Sequence, residues 1–220
     1  QDNMFIRWSH QETTNTWTPT ATNTAGSKRL TDGNQINTAV RSRGAVMVWT
    51  DTALYQMQFI GAPFTFGFKQ IGSNCGAVGL NAAVDVNGIA YWMGNDSFFL
   101  YDGAVKKIPC SVQDHVFDSI SPSSLTEVYC ASNADYNEVM WFYADSTSNV
   151  INKQVVYNYL ENLWYVGSLD RTTWSNSSIY SVPYASQFVA GSSATSTPTV
   201  QGLKTGRSFI YAQETGTDDD

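Results

Sequence analysis

The 220 residues are 42% hydrophobic and 14% aromatic, enough to bury a substantial core, yet only 14% charged, against about a quarter in ordinary globular domains. A net charge of −7 argues against a protein that grips nucleic acid. Phosphate binding needs clustered Lys and Arg, and the longest basic pieces are Lys28-Arg29, Arg41-Ser-Arg43 and Lys106-Lys107. Cys75, Cys110 and Cys130 show no Cys-x-x-Cys spacing, which argues for reduced thiols in a protein folded in a cytoplasm, and no apolar run approaches the roughly 18 residues of a membrane span.

Short β-branched and aromatic runs separated by Gly, Asn, Asp and Ser recur along the chain. In chain order they predict strands at 4–9, 36–41, 45–50, 54–60, 65–71, 82–86, 89–93, 98–101 and 104–107. Further strands are expected at 126–131, 138–143, 150–157, 163–169, 179–182, 187–190 and 207–212. Residues 11–33, with eight Thr in 23 residues, read as a long surface loop, and the Ser/Thr/Gly-rich stretch 191–206 as an extended loop or arm. Residues 111–120 place Val112 and Val116 four apart behind Ser111, a candidate N-cap, and predict one short helix.

Four tryptophans mark a recurring block: Trp8, Trp49, Trp92 and Trp141, at gaps of 41, 43 and 49 residues. A period of about 40–50 residues is the size of a four-stranded propeller blade. Asn87-Gly88 between two strands is a favoured two-residue hairpin turn, and Asp102-Gly103 is expected to act alike. The expected fold is therefore all-β: propeller-like blades of antiparallel strands over residues 1–220, with one short helix. The chain opens on Gln1 within a strand-like segment and stops soon after another. The expectation is a partial ring cut from a longer protein.

Alternation puts adjacent aromatics on opposite faces of a strand, so one of each pair in Trp141-Phe142 and Trp164-Tyr165 is expected to point outward, toward a subunit or a neighbouring blade. Reactive constellations find little support. His10 and His115 lack matched partners, and no Gly-x-Ser-x-Gly elbow presents a serine. Gly72-Ser-Asn-Cys-Gly76-Ala-Val-Gly79 lacks the Gly-Lys-Ser/Thr ending of a phosphate loop and is expected to bend the chain between blades. Ser168-Leu-Asp170-Arg-Thr-Thr-Trp174 echoes a sialidase Asp-box with Thr172 where glycine belongs. Asp51, Asp96 and 218–220 could supply oxygen to calcium, but read more simply as solvated turn residues. The sequence thus predicts no catalytic residues, no cofactor and no metal.

Longer stretches carry a resemblance. They are Arg7-Trp8-Ser-His-Gln11-Glu12, Trp17-Thr-Pro19, Asn23-Thr-Ala-Gly26, Val48-Trp-Thr-Asp51, Tyr55-Gln-Met-Gln-Phe-Ile-Gly61-Ala-Pro63 and Phe66-Gly67. Tyr91-Trp-Met93, Phe98-Phe-Leu-Tyr-Asp-Gly103, Pro109-Cys-Ser-Val112 and Gln213-Glu-Thr-Gly216 continue it. Together they resemble the β-propeller tail proteins of short-tailed phages, called nozzle, tail hub or packaged-DNA stabilisation proteins. The chain departs from that family in being short for a complete nozzle.

The resemblance implies a structural virion protein, folded in the host cytoplasm and located in the tail. Its partners would be itself, in a ring generally of six copies, and adjacent tail or adaptor proteins. Genomic DNA would pass through without specific binding, no membrane would be involved, and the acidic balance would suit the lumen. An alternative function is a carbohydrate-binding adhesin propeller recognising the host surface, with Trp17, Trp164 and Trp174 stacking on sugar rings. A glycan hydrolase is a third reading.

Overall fold

The computed structural model describes residues 2–176, 179–190 and 206–214. These form an all-β protein, 49% strand and 8% helix, built of several small antiparallel sheets with one short α-helix. The chain divides into two compact units, Gln1–Pro109 and Cys110–Asp220. Among the described residues, no helix is long and apolar enough to cross a membrane.

The first unit begins with a two-stranded ribbon, β1 (Phe5–Trp8) and β2 (Gly26–Arg29). Two four-stranded meanders follow, each paired in sequence order. One comprises β3 (Ile36–Ser42), β4 (Ala45–Thr50), β5 (Ala53–Gly61) and β6 (Thr65–Ser73). The other comprises β7 (Ala83–Val86), β8 (Ile89–Met93), β9 (Phe98–Tyr101) and β10 (Val105–Ile108).

Side-chain alternation explains why these layers stack. On β4, Val46 and Val48 turn to one face while Met47 and Trp49 turn to the other, so both faces are apolar and both need cover. The ribbon covers the first face: Met4, Ile6 and Leu30 pack on Val48, Ala53 and Tyr55. The second meander covers the other. There Trp49 meets Trp92 edge-on, ring centroids 5.3 Å apart at 61°, and Trp92 stacks on Phe99 at 5.5 Å. Leu54, Ala90 and Tyr101 fill in around them.

The glycine-rich stretch lies in the connection from β6 to β7 and zips the two sheets together. Cys75 N–H donates to the Thr52 carbonyl, Ala77 N–H to Thr50 and Val78 N–H to Met93. A Cβ on Gly76 would stand 2.2 Å from the Asp51 carbonyl, so this close backbone approach excludes any larger residue.

The second unit opens with helix α1 (Gln113–Ser119) and a 3-10 turn over Pro122–Glu127. A third four-stranded meander follows: β11 (Tyr129–Asn133), β12 (Glu138–Tyr143), β13 (Lys153–Asn158) and β14 (Leu163–Gly167). A three-stranded sheet completes it: β15 (Thr173–Ser175), β16 (Tyr184–Ala190) and β17 (Gly206–Ala212). Met140, Phe142 and Val156 pack on Trp174 and Ala185, with Phe142 and Trp174 stacked at 6.1 Å. On the opposite face of β12, Trp141 stacks on Trp164 at 6.0 Å, and Tyr157 stacks on Trp164 at 4.6 Å.

Three of the four repeat tryptophans therefore occupy one structural position. Trp49, Trp92 and Trp141 each sit on the second strand of a meander and are wholly buried. Trp8 departs from the expected repeat. It lies on the ribbon, where β1 has a single partner strand among the described residues, and it stays half-buried.

Other expectations need correction. The loop expected over 11–33 contains β2, because Gly26 gives the Trp8 indole a flat backbone to lie against. Asn87-Gly88 forms the expected two-residue turn, both residues at positive φ, whereas Asp102-Gly103 does not. Tyr101 pairs with Val105 across three residues, and the Asp102 carboxylate takes Ala104 N–H and the Lys106 ammonium. Ser111 does not cap the helix; the N-cap is Val112, without a side-chain bond.

Residues 179–182 are turn and bend, and 150–151 belong to a loop folded around Asp145. The strand expected from 126 starts at Tyr129, because Pro122 opens a helical turn that runs to Glu127. Trp141 and Phe142 are both buried, Phe142 facing the neighbouring sheet as one of the two expected outcomes, and Tyr165 is exposed beside the half-buried Trp164. Of the arm expected over 191–206, residues 191–205 lie outside the described residues, and Gly206 opens β17.

Trp92→Ala should remove about 3–5 kcal/mol of stability, the usual cost of deleting a buried large aromatic side chain. Chemical denaturation should show a much smaller loss for Trp8→Ala.

Candidate interaction surface

Strands β5 and β6 are nine residues each, longer than any neighbour in their sheet. β4 pairs with β5 only from Leu54 to Met57. Beyond that point the hairpin continues alone through 58–67 and projects from the sheet. Its tip carries Phe59, Ile60 and Phe64 at 68%, 55% and 70% exposure, beside the Ala62-Pro63 turn. Large apolar side chains at that exposure, gathered on one projection, mark an interaction surface rather than a core.

The ribbon supports this hairpin. Trp8 meets Phe66 edge-on at 5.3 Å and stacks against Phe68 at 5.9 Å. Its indole N–H donates to the Thr24 carbonyl at 2.8 Å, and the Thr65 hydroxyl donates to the same carbonyl at 3.3 Å. His10 belongs to this support, its Nδ1 accepting the Thr24 N–H at 3.0 Å. Trp8, Phe66, Phe68, Ile60, Phe64 and Lys28 line an open groove of about 540 Å³. Directly across the ribbon from Trp8 is Gly26, where a Cβ would stand 2.2 Å from the indole ring.

The expected turn residues serve the fold. The Gly88 carbonyl accepts Arg43 Nε–H at 2.6 Å, which ties the β3–β4 turn to the β7–β8 turn, and the Arg43 guanidinium also approaches Gly103. Asp51, Asp96 and Asp145 each shape the connection after a repeat tryptophan. Asp51 accepts from Asn34 N–H and Nδ2, Asp96 from the Ser97 hydroxyl, and Asp145 from Thr147 N–H. Partial burial raises the Asp51 pKa, but the Asn34 bonds outweigh it and hold the carboxyl below its ordinary value. Asp51 and Asp96 line one pocket of about 220 Å³, yet no three His, Cys, Asp or Glu side chains gather into a metal-holding group among the described residues. Residues 218–220 lie outside the described residues.

The remaining candidates are scattered. His115 and Asp114 are exposed on α1. Asp170 accepts from Gln187, and Arg171 lies over the Tyr211 ring at 4.8 Å. All three cysteines are free thiols. Burial raises the pKa of each, Cys75 to about 11, which suits packing rather than nucleophilic chemistry. Of the aromatic trio, Trp17 is exposed and donates to the Thr14 carbonyl, Trp164 is half-buried against Trp141, and Trp174 lies in the core.

A second exposed apolar cluster lies in the other unit. Asn158 Nδ2–H donates to the Tyr136 carbonyl and Tyr159 N–H to Asn137, which brings the β11–β12 and β13–β14 connections together. Tyr136, Leu160 and Leu163 are exposed there. Glu138 accepts a short hydrogen bond from the Tyr165 hydroxyl nearby. Sequence reading missed both clusters, because each looks like ordinary strand and turn text.

No protein-family model and no curated protein matches the chain.

Gly26→Ala should displace Trp8 and lower the thermal midpoint, at a cost of about 1–3 kcal/mol from overpacking. Gly67→Ala, whose Cβ would meet only the flexible Ile60 side chain at 3.2 Å, should cost less. Glu138 gives a pH signature. Burial, assisted by the nearby Glu214 charge, raises its pKa against the opposing Tyr165 bond. Its folded pKa therefore exceeds its unfolded one, and its contribution to stability falls as pH rises through the folded value. Glu138→Gln should stabilise the protein at neutral pH relative to wild type, with the difference vanishing below about pH 4; denaturation curves across pH would measure it.

Proposed function

We propose that the chain is a structural protein of a phage tail, part of a nozzle or hub ring that retains packaged DNA and passes it during ejection. The observation that carries this reading is how the apolar surface is used. The first Trp-centred meander spends both faces on packing within the chain, and a braced apolar hairpin is left over for a neighbour. The sequence resemblance to tail nozzle proteins points the same way. Stiff stacked sheets suit a wall, and the ring would bring copies of the chain together, six in the family it resembles, beneath portal and adaptor proteins.

Electrostatics is compatible with a conduit. With a net charge of −7 and no long basic run, the chain offers passing DNA little to hold. The adhesin reading keeps only the exposed Trp17 of its three tryptophans, because Trp174 is buried and Trp164 is already stacked on protein. Among the described residues, no His, Cys, Asp and Glu cluster favours a hydrolase.

Genetic removal separates these readings. Particles of the encoding phage made without this protein should fill their heads and then lose DNA, which becomes accessible to nuclease. Particles that keep their DNA and fail only to attach to the host would favour the adhesin and contradict the conduit.

A further inference from the structure

Charge divides unevenly between the two units. Gln1–Pro109 carries eight Lys/Arg and seven Asp/Glu, a net +1, whereas Cys110–Asp220 carries four and twelve, a net −8. Both units expose apolar side chains, in the second unit also along β16 and β17, and the hairpin tip and the Leu160–Leu163 strip differ in their charged surroundings. At the hairpin tip, Lys28 lines the groove with Ile60 and Phe64. The ion pairs among the described residues are Arg29–Asp2 and Lys106–Asp102, so neither involves Lys28. The two connections that meet at Tyr136 and Leu160 carry acidic residues, Asp135 and Glu161, and Glu138 and Glu214 lie beside Tyr165.

We propose that copies of this chain associate head to tail, with the β5–β6 tip of one copy seated on the Leu160–Leu163 strip of the next. The occupant of each surface is thus a second copy of the chain. Apolar residues supply the burial: Phe59, Ile60 and Phe64 on one side, Leu160 and Leu163 on the other, all more than half exposed. Charge sets the pairing. Tip against tip would set Lys28 near Lys28, and strip against strip would gather carboxylates, so both symmetric arrangements are repulsive. Tip against strip brings Lys28 toward Glu138 and Glu161. A contact between two different surfaces propagates, closing into a ring or running on as a filament. The inference rests on the ring reading for its biological setting and names the contact that would build the ring.

Two variants with one dead surface each provide the test: Phe64→Asp, which spoils the tip, and Leu160→Asp, which spoils the strip. Both residues are exposed, and circular dichroism would confirm that the variants keep the fold. In analytical ultracentrifugation the wild-type chain should associate with rising concentration, less so at high salt. Each variant alone should associate more weakly, on the order of tenfold or more. An equimolar mixture should regain a one-to-one complex, because the intact tip of Leu160→Asp meets the intact strip of Phe64→Asp and growth stops there. A wild-type chain that stays monomeric at about 100 µM would overturn the proposal, since that concentration detects even a weak contact. So would a mixture that regains nothing while the wild type associates. Neither failure bears on DNA retention by the particle, so the conduit reading is judged separately.

Discussion

The edge-on contact of Trp49 with Trp92 is the constraint on which the first unit depends. A meander with two apolar faces cannot stand alone in water, and a single sheet of four short strands has little else to hold it. Burying one indole from each sheet in the same layer joins the two sheets and fixes their spacing. The connection between them is built to the same end. Cys75, Ala77 and Val78 use their backbone N–H groups to bind one sheet to the next, and the Cys75 carbonyl accepts the Trp92 indole N–H at 2.8 Å. Gly76 is small because the chain passes against Asp51 there. Trp141 repeats the position in the second unit, where it stacks on Trp164.

With both faces of the first meander committed, the first unit can offer a neighbour only what projects from it. The β5–β6 hairpin projects because its strands outrun β4, and it is held in place because Trp8 and Thr24 brace its base. This explains why Trp8 resembles the other repeat tryptophans in sequence and differs in role. The same indole that elsewhere joins two sheets here props up a ribbon. The two units also differ in charge, the second acidic and the first nearly neutral.

Much of this was legible in the sequence. Ala45–Thr50, Ile89–Met93, Phe98–Tyr101 and Glu138–Tyr143 were read residue for residue, because alternation and turn chemistry agree there. β2 was not legible, because Gly-Ser-Lys-Arg contains no β-branched or aromatic residue; it is a strand only through Trp8 and the pairing it imposes. β15 is three residues long and rests on one buried tryptophan, too short for any periodicity. Residues 150–151 are apolar and buried in part, yet Asp145 and Asn152 fold them into a loop. Phe59 and Ile60 misled in the other direction. They read as ordinary strand residues, and nothing local tells an exposed apolar side chain from a buried one; only the unequal lengths of β4 and β5, set by pairing across the sheet, leave them in water.

The central proposal is that this chain forms part of a ring wall in a phage tail. Electron microscopy of the intact particle tests it most directly. The account predicts several copies arranged by rotation about the tail axis, each with its β5–β6 hairpin against the second unit of the next. Density placing the chain off the axis, in peripheral fibres or in the head shell, would contradict it.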